Sequence, residues 1–378
     1  MKEEKKDSGE ELIDIDEKGN KIEKEENKEK NTNKSTYSKH MIILAIIIII
    51  LISCYYFFNN KNKNKNKNKS VFDKITLKNI KLKNRVIFGS ITHDIKKIEE
   101  VVKNNVSLVI TDGAIVGDAS TKLKKEGTFM VDNDDCIQEL KQLPEIVHKY
   151  NSYILLDLVH LGLMSVDKPL YSPSIDKGFY NKEIESIAMT KEDILRVQDL
   201  FVQAAIRAKK AGFDGIEIHG GHLTLVSLFS TKKYNRRTDE YGGSNENRAR
   251  FIVEIIKKIR KAIGNNMIIS AKIDSPDEDN GISESQFLYN VKALEQAGLD
   301  LISISGTNPI RNNEDLYFYE YSKKIAEILK IPVVCIGGIK KYEQADYVLK
   351  NSKIEYIAMS REFLKQPDII KKWYLNNK

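Results

Sequence analysis

Hydrophobic positions divide this 378-residue chain into three regimes. Residues 1–40 carry almost none; Lys, Glu and Asn dominate and aromatics are nearly absent. Such a stretch cannot bury enough apolar surface to offset the entropy of ordering it, and reads as a disordered tail. Residues 41–58, MIILAIIIIILISCYYFF, are apolar throughout and uncharged. From Val71 to the end, short apolar runs alternate with amphipathic stretches. The run Asn59–Ser70 alternates Asn and Lys and reads as a solvated linker.

The middle regime predicts one transmembrane helix. Its 18 residues would span about 27 Å, close to a hydrocarbon core of ~30 Å. Tyr55, Tyr56, Phe57 and Phe58 sit at one end, where aromatic rings favour an interface. A cleaved signal is disfavoured, because 40 residues precede the run and no small-residue cleavage site follows. The linker lysines Lys61, Lys63, Lys65, Lys67 and Lys69 form the tighter basic cluster. They would face anionic lipid headgroups and place the following domain in the cytosol. The expectation is a single-pass membrane protein with lipid as the partner of residues 41–58.

Residues 71–378 read as one block of βα units. Candidate strands are Val86–Ile91, Leu108–Thr111, Tyr153–Leu158, Gly215–Ile218, Met267–Ile273, Leu301–Ile304, Val333–Ile336 and Tyr356–Met359. They are apolar on both parities, as parallel strands covered on two faces require. Between them, Ile194, Val197, Phe201, Ala204, Ala205 and Ala208 recur at helical spacing, as do Phe251, Ile252, Ile255, Ile256, Ile259 and Ile263. Thr190 and Ser283 are candidate N-caps, the latter with Gln286 as a capping box. Gly212, Gly264 and Gly298 fall where helices should stop. Ala211-Gly-Phe-Asp214 and Ala297-Gly-Leu-Asp300 echo each other, each leading into a strand that ends in a polar residue and glycine. Alternating units fit a doubly wound sheet or a barrel. No GxGxxG follows an early strand, and eight units favour an α/β (β/α)₈ TIM barrel, preceded by the tail and the transmembrane helix.

Charge and cysteines narrow the chemistry. The formal net charge is +7, but the linker supplies five of those lysines, so nucleic acid is not an expected partner. The three cysteines show no CxxC or Cys/His spacing. A disulfide framework, a zinc site and a Cys-ligated iron–sulfur cluster are all disfavoured, and a reducing compartment is favoured.

The chemistry concentrates at strand ends. Strand four closes with Glu217-Ile-His219-Gly-Gly-His222; the histidine pair around glycines fits incidental loop residues, a metal, or a cofactor pocket. Strand seven ends in Gly337-Gly338, and strand eight runs into Ser360-Arg361. Together these make a candidate phosphate site. Strand five offers Lys272; strand three offers Asp157, followed by His160.

The segment Asn235-Arg-Arg-Thr-Asp-Glu-Tyr-Gly-Gly-Ser-Asn-Glu-Asn-Arg-Ala-Arg-Phe251 resembles the signature of the Old Yellow Enzyme-like NADH:flavin oxidoreductases. Ala211–His222, Leu82–Arg85, Ile331–Ile339 and Ala358–Pro367 resemble further blocks of that family, in order. The resemblance implies FMN as cofactor, NADH or NADPH as hydride donor, and a small activated alkene or quinone-like acceptor. It implies that Ser90, Ile91 and Thr92 approach the flavin, with Thr92 near its N5/O4 edge. Gly113 would line the ring, Asp157 would contact the pyrimidine, and Lys272 would approach N1/C2=O. Gly337, Gly338, Ser360 and Arg361 would hold the phosphate. His219 and His222 would bond the substrate oxygen, with Thr224 at the position of the proton donor.

The sequence also departs from the family. Asp157 stands for a usual Gln, Lys272 for Arg, Thr224 for Tyr, Leu163 for Arg, Ser90 for Pro and Ser360 for Gly. An ionised Asp157 accepts hydrogen bonds but donates none. Lys272 keeps a charge without the planar fork. These changes leave a second reading, a flavin-binding barrel with lost or altered turnover that serves as a binding or scaffold protein. No interface signature fixes an oligomeric state.

Overall fold

The computed structural model describes residues 40–55, 69–89, 91–117, 129–166, 168–308 and 314–377. The chain divides into two compact units, Met1–Asn64 and Lys65–Lys378. The expected tail and most of the expected linker lie outside the described residues, as does Ser90.

In the first unit the apolar run is helical over residues 40–55. A helix of that length reaches only about 24 Å, short of a hydrocarbon core of ~30 Å. Among the described residues, no helix is long and apolar enough to cross a membrane. The expected single-pass membrane location, the lipid partner and the cytosolic placement derived from them are corrected accordingly. Tyr56, Phe57 and Phe58 of the expected span lie outside the described residues.

The second unit is a closed parallel barrel. Its strands are β1 (Val86–Gly89), β2 (Leu108–Ile110), β3 (Tyr153–Val159), β4 (Gly215–Gly220), β5 (Ile268–Asp274), β6 (Leu301–Ser305), β7 (Val333–Cys335) and β8 (Tyr356–Met359). Each pairs in parallel with its neighbours in sequence, β8 pairs with β1, and the ring closes. The helices that follow are α1 (Ile95–Val102), α2 (Cys136–Lys149), α3 (Lys191–Ala211), α4 (Asn245–Ile263), α5 (Glu284–Gln296), α6 (Tyr319–Ala326), α7 (Tyr342–Lys350) and α8 (Arg361–Lys365); α9 (Ile369–Asn376) ends the fold. All eight expected strands form, with ends shifted by no more than a few residues.

Two cores result. One lies between strands and helices, built from residues such as Phe88, Val109, Ile216, Phe201 and Ile255. The other fills the lower barrel interior with Ile87, Leu108, Leu155, Ile268, Leu301, Val334 and Tyr356, plugged by the hairpin strands Ile75–Leu77 and Ile80–Leu82. Strand side chains alternate faces, so the next interior residue lies two positions on. That step takes Leu155 to Asp157, Ile268 to Ser270 and Lys272, and Leu301 to Ser303 and Ser305. The interior therefore turns from apolar to polar toward the strands' C-terminal ends.

The repeated Ala-Gly-x-Asp turns have a mechanical role. Asp214 Oδ2 accepts the Ile154 N–H at 2.8 Å, and Asp300 Oδ2 accepts the Ile269 N–H at 2.9 Å. Each carboxylate ties its own strand to the one before it. Asp300 also pairs with Arg260 and, at 2.9 Å, with Lys78 of the plugging hairpin. The glycines of both turns, Gly212 and Gly298, take the left-handed conformation that ends the helices, at φ 92° and 100°.

Thr190 caps α3 in a reciprocal box with Asp193. Ser283 accepts the Gln286 N–H, but the Gln286 side chain donates instead to Asn245 O and Asn290 Oδ1. The expected box is therefore half formed, because the Gln286 amide is engaged elsewhere: its Nε2 by Asn245 O of α4 and Asn290 Oδ1 of α5, and its Oε1 by the Arg248 Nε–H of α4. At the other end of the second unit's sequence, Lys69 donates to Ile354 O at 3.0 Å and pairs with Glu355 at 3.1 Å.

Candidate active site at the strand ends

A cavity of about 740 Å³ opens at the C-terminal ends of the strands. It gathers Ile91, Asp157, His219, His222, Lys272, Gly337, Gly338, Ser360 and Arg361 from the sequence-predicted set. Thr92, Gly113 and Thr224 do not line it. Thr92 Oγ1 accepts the Asp94 N–H at the start of α1. Gly113 packs on Val159; a Cβ there would lie 2.7 Å from Val159 Cγ1. The Thr224 hydroxyl is shared between His219 O and Gly221 O, each at 2.9 Å, and is turned into the backbone.

The floor is a buried charge cluster. Lys272 Nζ lies 3.1 Å from Glu217 Oε1 and 3.6 Å from Asp157 Oδ2. Strand register explains the grouping: Asp157 sits opposite Glu217, and Lys272 between His219 and Ser303. Burial opposes charge on Lys272, but Glu217 and Asp157 outweigh it and hold the ammonium above its ordinary range. The carboxylates diverge. Burial opposes ionisation of Asp157, yet His219 and Lys272 together keep it below the usual range. Burial prevails at Glu217, whose carboxyl is raised. Asp157 Oδ1 is buried without a hydrogen-bond partner.

Above this floor the histidines are joined. His219 Nδ1 meets Asp157 Oδ2 at 2.7 Å, and His219 Nε2 meets His222 Nδ1 at 2.9 Å. His222 Nε2 meets Ser305 Oγ at 2.8 Å. Burial pushes the His222 imidazolium well below its ordinary range, and the neighbouring His219 and Lys272 add to the effect. His222 and Leu223 both have positive φ, 61° and 56°, a conformation costly outside glycine. Asp274 anchors that turn by accepting the His222 N–H at 2.9 Å and the Ser227 hydroxyl.

The far end is glycine-built. Gly337 and Gly338 have φ 91° and 74°. A Cβ on Gly337 would lie 2.5 Å from the Tyr317 ring, and one on Gly338 2.6 Å from Leu316 N. Tyr317 Oη lies 3.5 Å from Arg361 Nη2. α8 has only five residues, so an anion here would be held by backbone N–H groups and Arg361 more than by a helix dipole.

Sequence reading missed Glu217, Ser303, Ser305, Asp274 and Tyr317. The two-residue interior alternation points to Glu217, Ser303 and Ser305 and, one step past Lys272, to Asp274, while Tyr317 follows only from the turn geometry. The Asn235–Phe251 signature lies away from the cavity. Asn235 Nδ2 donates to Phe229 O and Tyr241 O at 2.7 Å each, and Asn247 Nδ2 bonds Asp239 O and Gly242 O. Gly242 packs so closely on Arg237 O that a side chain would collide. The segment locks the loop leading into α4.

The profile of the NADH:flavin oxidoreductase / NADH oxidase family matches residues 70–376. An NADPH dehydrogenase of Bacillus cytotoxicus is 29% identical over 313 residues, covering 79% of this chain and 90% of that protein. An NADH oxidase of Thermoanaerobacter brockii is 26% identical, over 80% of this chain and 50% of that longer protein. Among solved structures, the Old Yellow Enzyme homologue of Zymomonas mobilis aligns with TM-score 0.70 at 21% identity, covering 82% of this chain and 94% of that one. Morphinone reductase in complex with tetrahydroNAD aligns with TM-score 0.69 at 24% identity, over 82% and 92% of the two chains. At these identities the structures establish the shared fold. With the profile spanning nearly all of the barrel, the chain belongs to the NADH:flavin oxidoreductase / NADH oxidase family, the FMN-dependent, NAD(P)H-using oxidoreductases of the Old Yellow Enzyme type.

Proposed function

We propose that the chain is an oxidoreductase in which NADH or NADPH gives up hydride at this cavity and an activated alkene or quinone-like acceptor receives it. The observation that carries the reading is the cavity itself, which joins a lysine-centred charge cluster to a glycine-built anion site. When bound, FMN supplies the stepwise acceptance and donation of hydride.

The residues present fit that group. Asp157 Oδ1 is a buried acceptor without a partner at the cavity wall, suited to an imide N–H such as flavin N3–H. Lys272 brings the fixed positive charge that an electron-rich pyrimidine end requires. The backbone N–H groups of Gly337 and Gly338, with Ser360 and Arg361, suit a phosphate. His219 and His222 border the space left for the acceptor's oxygen.

The aliphatic wall formed by Ile91, Ile336 and Ile339 keeps the space between these ends apolar, which strengthens charge interactions inside. The substitution of Asp157 for Gln has a local answer. Its charge is balanced within the protein by Lys272, and its Oδ2 is hydrogen-bonded by His219 Nδ1, so it need not be neutralised by the cofactor.

The test is an absorption spectrum of the full chain, denaturation to identify released cofactor, and anaerobic titration with NADPH. Released FMN and bleaching near the oxidised-flavin band are expected. A colourless protein that excess FMN does not reconstitute would overturn the reading. A coloured protein that neither NADPH nor NADH bleaches would favour the scaffold alternative.

A further inference from the structure

Asp157, His219, His222 and Ser305 form one hydrogen-bonded chain that starts in the charge cluster and ends at the cavity wall, with links of 2.7, 2.9 and 2.8 Å. Both nitrogens of both rings are engaged in it. While the chain is intact, neither imidazole has a nitrogen left for an oxygen in the cavity. Ser305 Oγ is its terminal atom, on a residue that lines the cavity. Thr224, at the position expected for a proton donor, is not a competitor; its hydroxyl is spent on two carbonyls.

Chemistry sets the direction of the bonds. An ionised carboxylate only accepts, so His219 Nδ1 carries a hydrogen toward Asp157. With one hydrogen on each ring, His222 Nδ1–H donates to His219 Nε2, and Ser305 Oγ–H donates to His222 Nε2. One added proton reverses the upper links. His219 Nε2–H then donates to His222 Nδ1, His222 Nε2–H donates to Ser305 Oγ, and the Ser305 hydroxyl points its own hydrogen into the cavity.

We infer that Ser305 is the catalytic residue that protonates the oxyanion left on the acceptor by hydride addition, and that His222, His219 and Asp157 reload it. The inference rests on the proposed reading of the cavity as the place where an acceptor is reduced. In the step, the Ser305 O–H bond breaks as the acceptor's O–H bond forms. The hydrogen on His222 Nε2 passes to Ser305 Oγ, and that on His219 Nε2 passes to His222 Nδ1. One proton leaves the chain and solvent restores it; both electrons come with the hydride from NAD(P)H, and no side chain is oxidised. Asp274 acts as a positioning residue, since the strained His222–Leu223 turn that aims the second ring at Ser305 hangs on its carboxylate.

The test compares Ser305→Thr with Ser305→Val, isosteric with each other and differing only in the hydroxyl. In stopped flow, the FMN-loaded full chain is bleached with NADPH and then reoxidised anaerobically by cyclohex-2-enone. The Val variant should reoxidise about 100-fold more slowly than the Thr variant, the scale of general acid catalysis. Wild type and the Thr variant should share a solvent deuterium isotope effect that the Val variant lacks. Imidazole ¹⁵N spectra of the flavin-free full chain give an independent readout. The Val variant should shift His222 Nε2 and leave His219 Nδ1 bonded to Asp157. Equal reoxidation rates for the Thr and Val variants, or an unmoved His222 Nε2 signal, overturn the relay. Failure of both NADH and NADPH to bleach the wild type overturns instead the functional reading on which it rests.

Discussion

Replacing Asp274 by Asn should make this protein more stable at neutral pH. Asp274 ends β5, is buried, and holds the turn at His222. Burial pushes its carboxyl from 3.8 up to about 6. Each tenfold change in proton affinity is worth about 1.4 kcal/mol, so the ionised side chain costs the fold ~3 kcal/mol relative to the neutral acid. The sign follows from proton counting. Between the ordinary value and about 6 the folded state binds more protons than the unfolded one. The stabilising contribution is thus fully present below the ordinary value and is lost as pH rises through about 6. Asparagine keeps an oxygen for the His222 N–H, offers an amide hydrogen to Ser227 Oγ, and removes the charge. At pH 7 the variant should gain up to ~3 kcal/mol, roughly 5 °C in Tm for a domain of this size, and the gain should vanish near pH 4. Circular-dichroism melts of the full chain at several pH values between these limits measure it. A lower Tm at pH 7, or a difference independent of pH, would refute the reasoning. If the gain appears, the wild type keeps a costly carboxylate at the site, as expected where turn geometry serves function rather than stability.

Three further outcomes follow from other parts of the barrel. Lys272→Met strands Asp157 and Glu217 without their shared counter-charge and should cost about 3–5 kcal/mol in urea denaturation at pH 7. Gly337→Ala forces a side chain onto a backbone at φ 91° and against the Tyr317 ring; a loss of about 1–3 kcal/mol and weaker FMN binding by fluorescence titration are expected. Asp300→Ala removes an acceptor from Ile269 N–H and a partner from Lys78 and Arg260. It should destabilise by about 3 kcal/mol and leave the flavin spectrum unchanged, because it acts at the opposite end of the barrel.

The barrel was legible because its cause is local. Eight short runs, apolar on both parities and separated by helical periods, admit few arrangements, and the Ala-Gly-x-Asp echo marked two of the turns that close it. The site was legible only in part. His219, Lys272 and the Gly337–Gly338 pair announce themselves by residue type at strand ends. Which residue meets which depends on the stagger between strands, and stagger is a property of the closed ring rather than of any one strand. Register puts Lys272 between His219 and Ser303, and so makes Glu217 a counter-ion instead of a core oddity. Ser305 becomes the partner of His222 only because the left-handed turn after β4 carries that ring past β5 to β6. Thr224 shows the converse. Its position in sequence promised a hydroxyl in the cavity, but the same turn presents the His219 and Gly221 carbonyls first, and the hydroxyl bonds both.

The signature before α4 was the most recognisable stretch of the sequence, and it lies outside the cavity. Asn235 and Asn247 fix a loop by bonding nearby backbone carbonyls, and Gly242 packs on Arg237 O too closely for a side chain, so several residues of one short stretch are constrained together. A wall of the cavity asks for one side chain per strand, two residues apart from the next. Dense local constraint leaves a long readable motif; a site assembled from eight strand ends leaves isolated letters. The residues that set this protein's chemistry apart, Asp157 and Ser305 above all, are therefore those a motif conveys least, and the strand period is what recovers them.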